Sequence, residues 1–250
     1  MLSPAVRDAM LRLPKVIGHR GAAASAPENT LPSIERAAAL GARWVEFDAK
    51  LTADNVVILM HDDGLDRTTN GHGPVAAASW AQIERLDAGA WFGPNWRGVK
   101  VPRLDQTIAH LARLGLNANI EIKPCSGREA ETAARVIEVV RQHWPKDRDR
   151  PLLSSFALES LAVARDLAPE LPRGLLVWDG PDLWRSEAGR LGCRSAHFSS
   201  EHLPADLGAV KRAGLGVAIY TVNDRAQARG LLDAGADCII TDRPDTVLAA

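Results

Sequence analysis

The feature that most constrains this chain is the regular alternation of short runs rich in Val, Ile and Leu with longer Ala/Leu/Arg segments of helical period. That alternation marks repeated βα units around a parallel sheet. Strands are expected around Ile17, Glu46, Ile120, Leu153, Leu176, His197, Ala218 and Ile239. This makes about eight, the number that closes an α/β barrel of the TIM (β/α)8 type. Helices are predicted over Leu31 to Leu40, Leu104 to Leu114, Glu129 to Gln142, Leu158 to Leu167, Leu183 to Leu191, Leu207 to Ala213 and Arg225 to Ala234. Several of them end in Gly, which best takes the left-handed position after a helix. With 250 residues, 46% of them hydrophobic, and no long linker, one domain over residues 1–250 is expected.

Val56 to Met60 does not fit as a parallel strand, because too few residues separate it from the Glu46 run for a crossover. A hairpin does fit. A turn at Asp54-Asn55 would set His61 roughly opposite Asp48. Residues 62–102 hold many turn formers and the tryptophans Trp80, Trp91 and Trp96 without a sustained helical pattern. They are expected to form a small insertion over the barrel mouth, after the second barrel strand and its hairpin.

Composition excludes some partners. The 30 basic and 31 acidic residues leave a net charge of −1, so nothing in bulk favours nucleic acid or a stable membrane association. Met1 to Lys15 lacks the continuous apolar stretch of a secretory signal, and no segment approaches spanning length. Cys125, Cys193 and Cys238 are widely spaced without a CxxC pair, which favours neither a disulfide framework nor zinc. A reduced, cytoplasmic protein is expected; the pattern says nothing of oligomeric state.

Ionisable groups recur where the apolar runs finish. His19-Arg20 follows Val16-Ile17-Gly18, Glu46 and Asp48 lie within the second run, and His61 closes Val56 to Met60. Alternation along a strand puts Glu46, Asp48 and Lys50 on one face, and Glu121 and Lys123 on one face of another. In one barrel Glu46, Asp48 and Glu121 can converge at the C-terminal rim. Three converging carboxylates repel, and one divalent cation, Mg²⁺ or Ca²⁺, relieves that repulsion with all-oxygen ligation. Ordinary salt bridges to Lys50, Arg43 and Lys123 are the alternative. His19 and His61 suit proton transfer near neutral pH, and Arg20 and Lys123 suit a phosphoryl group. Glu28 is close enough in sequence to orient Arg20 or His19, while Asn29 or Thr30 caps the first helix. His72, His110, His143, His197 and His202 show no such convergence, though His197 lies on a predicted strand.

The ordered set His19-Arg20-Gly21, Pro27-Glu28-Asn29-Thr30, Val45-Glu46-Phe47-Asp48, His61-Asp62, Leu65 to Gly71, Ile120-Glu121-Ile122-Lys123, Ser155-Phe156, Thr221-Val222-Asn223 and Ile239 to Asp242 resembles the glycerophosphodiester phosphodiesterase family nearly end to end. Glu46 to Leu51, Leu152 to Phe156 and Leu171 to Leu176 look most like its cytosolic bacterial branch, the UgpQ type. The resemblance implies a TIM barrel with Glu46, Asp48 and Glu121 on the metal and His19 and His61 as the acid/base pair. It further implies Arg20 and Lys123 on the phosphate, with Glu28 and Asn29 supporting the first loop. The implied reaction releases sn-glycerol 3-phosphate and an alcohol from a small-molecule glycerophosphodiester, through attack of the substrate's own 2-hydroxyl and a cyclic glycerol phosphate. Tyr220 stands where many members carry Trp, which bears on the glycerol or alcohol pocket. A lysophospholipase D-like lipid phosphodiesterase would need an apolar channel, for which Trp80, Trp91, Phe92 and Trp96 are the candidates. A catalytically silent phosphate-binding barrel would lack a histidine or a metal carboxylate, and none is missing.

Overall fold

The computed structural model describes residues 12–249; most of the Met1 to Lys15 stretch lies outside the described residues. The first half of the chain runs β1 (Val16–Gly18), α1 (Leu31–Ala39), β2 (Trp44–Leu51), β3 (Val57–Leu59), the single helical turn α2 (Trp80–Ile83), α3 (Leu104–Leu114), β4 (Asn117–Ile122) and α4 (Glu129–His143). The second half runs β5 (Leu152–Ser155), α5 (Leu158–Leu167), β6 (Arg173–Val177), α6 (Leu183–Arg190), β7 (Ser195–Ser199), α7 (Leu207–Arg212), β8 (Gly216–Tyr220), α8 (Arg225–Asp233), β9 (Cys238–Thr241) and α9 (Pro244–Leu248). Every predicted strand centre falls inside a strand. Gly115 ends α3 at φ +68°, as its sequence position predicts.

All strands but β3 are parallel, in the order β1-β9-β8-β7-β6-β5-β4-β2. A β1–β2 pairing, Gly18 to Val45, closes the ring. The result is the expected TIM barrel.

Alternation along each strand separates its chemistry by face. Val45, Phe47, Ala49 and Leu51 of β2 and Ala118, Ile120 and Ile122 of β4 pack outward with Ile108, Leu111, Val136 and Val140 of the surrounding helices. Each large side chain buried in this way contributes about 1.5–3 kcal/mol. On the far side Ala196 and Phe198 of β7 and Val217 and Ile219 of β8 join a second outer core with Trp184 and Val210. The residues between them, Glu46, Asp48, Lys50, Asn119, Glu121, Ser195 and His197, are polar and buried.

The hairpin β2–β3 forms with a different register from the predicted one. Ala49 pairs with Leu59 and Leu51 with Val57, so Met60 N–H donates to Asp48 O at 3.0 Å and His61 lies one residue beyond. The loop has three residues rather than two: Thr52 N–H donates to Val56 O, and Asn55 takes φ +62°. A three-residue loop with its last residue left-handed is a favoured hairpin closure.

Residues 62–102 connect β3 to α3. Leu65, Val75, Ile83, Ala88 and Val101 build a small core of their own against Ile58 and Met60. Among the described residues no helix is long and apolar enough to cross a membrane.

Candidate active site

The loop after β1 is wound tightly to face β2. Arg20 adopts φ +48°, Gly21 φ +90° and Asn29 φ +57°. A Cβ on Gly21 would meet Ser33 O at 2.7 Å, so no larger residue fits that turn. Thr30 is the cap of α1, its hydroxyl accepting from Ser33 N–H. The Asn29 side chain is thereby free to reach β2, where its Nδ2 donates to Asp48 Oδ2 at 2.8 Å and its Oδ1 accepts from Asp48 N–H at 3.1 Å.

Registry between β2 and β4 places Asp48 beside Glu121 and Glu46 beside Asn119. One oxygen from each of Glu46, Asp48 and Glu121 lies within 4.8 Å of the others, and all three residues are buried. Burial, then Asp48 and Glu121, drive the Glu46 carboxyl well above its ordinary range. Burial followed by Asp48 pushes Glu121 up to about 7. Asp48 goes the other way: burial opposes its charge, but Lys123, Arg20 and His61 outweigh that and keep it ionised. Glu46 Oε1 is buried with no hydrogen-bond partner. An orphaned carboxylate oxygen within an all-oxygen cluster fits a hard divalent cation, which Glu46, Asp48 and Glu121 could hold.

Two cations flank the cluster. Lys123 lies 2.8 Å from Glu121 Oε1 and 3.4 Å from Asp48 Oδ1. Arg20 Nε lies 3.4 Å from Asp48 Oδ2, and its NH1 donates to Glu28 Oε1 at 2.7 Å. Glu28 thus folds back onto Arg20, and its carboxylate also takes two bonds from Arg67 at 2.8 Å each. Lys50 is directed elsewhere, onto Asp63 at 2.5 Å, so the simple pairing of the carboxylates with Lys50 does not occur.

Each imidazole is held by a carboxylate. His19 Nδ1 lies 2.7 Å from Asp242 Oδ1, and Asn223 Nδ2 donates to the other Asp242 oxygen. His61 Nδ1 lies 2.7 Å from Asp62 Oδ1, and Arg67 donates to both oxygens of Asp62. Asp62 is held far below the usual range, first by its bonds to Arg67. Asp242 is lowered as well, since His19 and Asn223 outweigh its burial. Ionised acceptors favour the imidazole proton on Nδ1, which leaves Nε2 able to accept one. The His19 Nε2 atom is 3.8 Å from Glu46 Oε2. Burial, with Arg20 and Lys123, lowers the His61 pKa against the pull of Asp48 and Asp62.

Asp242, Asp62 and Arg67 were given no role by sequence reasoning. Asp242 follows an apolar strand as His19 and His61 do, and Asp62 adjoins His61, so the same strand-end rule finds both. Arg67 gives no such signal.

His19, Arg20, Glu46, His61, Glu121 and Lys123 line one cleft of about 420 Å³. Phe156, Leu176, Trp178, Tyr220 and Ile240 form its apolar side. The insertion's tryptophans are not part of it. Trp80 lies under Arg103, and Phe92 packs edge to face on both Trp91 and Trp96. The Tyr220 hydroxyl donates to Val177 O at 2.8 Å, so it braces the wall instead of reaching into the cleft. His197 is fully buried within the barrel, its Nε2 2.9 Å from Ser195 Oγ, and His72 is exposed beside Asp66.

Carboxylates suited to a hard cation, basic groups suited to phosphate and imidazoles suited to proton transfer meet where the strands of one barrel end, which defines a hydrolase of phosphate esters. The chain belongs to the glycerophosphoryl diester phosphodiesterase family, whose model matches residues 19–246. A glycerophosphodiester phosphodiesterase of Caldanaerobacter subterraneus subsp. tengcongensis is 33% identical over 235 residues, covering 93% of this chain and 96% of that one. The structure of an Oleispira antarctica phosphodiesterase in complex with its product sn-glycerol-3-phosphate superposes with a TM-score of 0.92 at 36% identity, over 98% of both chains. A glycerophosphodiester phosphodiesterase from Agrobacterium tumefaciens gives 0.77 at 32% identity, over 95% of this chain and 100% of that one. The chain is therefore an enzyme of phosphodiester hydrolysis.

Proposed function

We propose that this enzyme hydrolyses water-soluble glycerophosphodiesters, such as glycerophosphocholine and glycerophosphoethanolamine, to sn-glycerol 3-phosphate and an alcohol. One divalent cation, Mg²⁺ or Ca²⁺, is held by Glu46, Asp48 and Glu121. The observation that carries the reading is the pair of imidazoles His19 and His61, each held at Nδ1 by a carboxylate and both lining the same cleft as Glu46 and Glu121.

Arg20 and Lys123 grip the phosphoryl oxygens, and Glu28 with Asn29 keeps the first loop in place for that contact. When bound, the cation neutralises charge that accumulates around phosphorus. His19 and His61 divide the proton transfers at Nε2: one takes the proton of the attacking hydroxyl while the other gives a proton to the departing alcohol. A hydroxyl of the substrate's own glycerol is a tethered nucleophile, so positioning supplies much of the rate. Water then opens the cyclic glycerol phosphate with the imidazole roles exchanged.

A cytoplasmic setting agrees with three buried, free cysteines. The cleft is of small-molecule size, and the insertion's tryptophans offer it no acyl channel. The test is release of glycerol 3-phosphate from glycerophosphocholine by purified protein, before and after EDTA and with Mg²⁺ or Ca²⁺ restored. Release that EDTA abolishes and one metal restores is expected; a folded protein that releases nothing under any metal overturns the reading.

A further inference from the structure

One side of the cleft is mostly apolar and offers a ligand few hydrogen-bond acceptors. Phe156 and Leu176 carry no polar side-chain atom, and the hydroxyl of Tyr220 donates its proton to Val177 O, away from the cleft. The indole N–H of Trp178 can donate and cannot accept. A primary ammonium laid against Phe156, Leu176 and Trp178 would give up water acceptors that these three side chains cannot replace. A trimethylammonium group has no N–H to satisfy, and an aromatic face attracts its charge.

The rings differ in how free they are. Tyr220 meets Phe156 edge to face at 6.0 Å, and Lys123 Nζ lies 5.6 Å over the Phe156 ring. That face is therefore taken by a cation whose charge Glu121 and Asp48 already match. Trp178 follows β6 directly and is 53% exposed, tilted against His202 at 6.2 Å. Tyr220 braces the backbone at Val177, the residue before it. The indole is thus an aromatic surface at the cleft's edge with area to spare.

We propose that Trp178, with Tyr220 beside it, forms the subsite for the alcohol arm of the diester and selects a trimethylammonium alcohol over a primary ammonium one. The inference rests on the function proposed above and adds to it the class of alcohol and the residue that discriminates. The contact is made alike in ground and transition states, so it acts on KM more than on kcat.

The test measures kcat/KM for glycerophosphocholine and glycerophosphoethanolamine with the wild-type enzyme, Trp178→Ala and Trp178→Phe. Wild type is expected to prefer the choline diester by about three- to thirtyfold. Trp178→Ala should erase most of that preference through a raised KM for the choline diester alone, and Trp178→Phe should keep part of it. Equal wild-type rates on the two diesters, or a variant that slows both to the same extent, overturns the subsite. Calorimetric titration of the EDTA-treated proteins with each diester decides the matter without turnover. If the wild type releases glycerol 3-phosphate from neither substrate, the proposed function fails, and the titration still upholds or overturns the subsite. Selective loss of choline-diester binding in Trp178→Ala upholds it, and unchanged or equally weakened binding overturns it.

Discussion

Asn29 holds Asp48 at both its side chain and its backbone, with its Nδ2 on Asp48 Oδ2 at 2.8 Å and its Oδ1 on Asp48 N–H at 3.1 Å. One amide thereby ties the loop after β1 to the central carboxylate of β2. Asn29→Ala removes both bonds inside a buried site and should destabilise the fold by about 1–3 kcal/mol. Urea unfolding reads this directly, and an unchanged midpoint would show that the pair carries no stability.

Loss of either imidazole should cost far more in rate than in stability. His19→Ala and His61→Ala are expected to lower kcat by about 10²–10⁴-fold, with far-UV circular dichroism and melting temperature close to wild type. Near-normal turnover in either variant removes that residue from the proton transfers. Asp242→Asn keeps the shape but no longer favours the Nδ1–H form of His19, so it should produce a smaller loss and an altered pH profile.

Metal binding should be linked to pH through the carboxylates. With no cation bound, burial and mutual repulsion raise Glu121 to about 7 and Glu46 well above its ordinary value. A raised carboxyl contributes stability that is present below its unfolded pKa and is lost as pH rises through the folded one. The metal-free protein should therefore weaken between about pH 4.5 and 7, while the loaded protein is relieved of that repulsion. The gap in melting temperature between metal-loaded and EDTA-treated samples should widen from pH 5 to pH 8, and Glu46→Gln should shrink it. A gap independent of pH would dissociate these carboxylates from the cation.

His197 should make the barrel acid-sensitive in a separate window. Burial pushes its pKa down to about 4, against about 6.5 in the unfolded chain. Here the neutral form is the one that folds, so its stabilisation is complete above pH 6.5 and is lost as pH falls towards 4. The loss amounts to about 3 kcal/mol. His197→Gln should flatten the wild-type stability profile across that interval, and parallel profiles would place the acid sensitivity elsewhere.

Much of the site was legible because strand and chemistry share a period. Glu46 and Asp48, two residues apart on β2, must share a face, and the apolar residues between them must face the helices. His19, His61 and Glu121 stood out because an ionisable group at the end of an apolar run has no place in a plain core. Asn29 was only half legible: its position before α1 suggested a cap, whereas Thr30 takes that role and Asn29 reaches Asp48. The hairpin register depended on whether Asp54-Asn55 closes as a two- or three-residue loop, a choice set by Asn55 entering the left-handed region. Tyr220 lines the cleft, as its place before Thr221 implies, whereas Trp80, Trp91 and Trp96, the candidates for an acyl channel, lie outside it, since a list of tryptophans carries no direction.

The sequence by itself determined the barrel, its strands, most of its helices and the polar side chains of its site, because periodicity and chemistry are local properties of the chain. Only the tertiary structure decided which groups meet. Asp242 reaches His19 across 223 positions of sequence, and Arg67 joins Glu28 to Asp62. Trp178 and Tyr220 share a wall because β6 and β8 end on the same rim. Such contacts follow from ring closure and side-chain direction, which pairwise spacing along the chain does not encode.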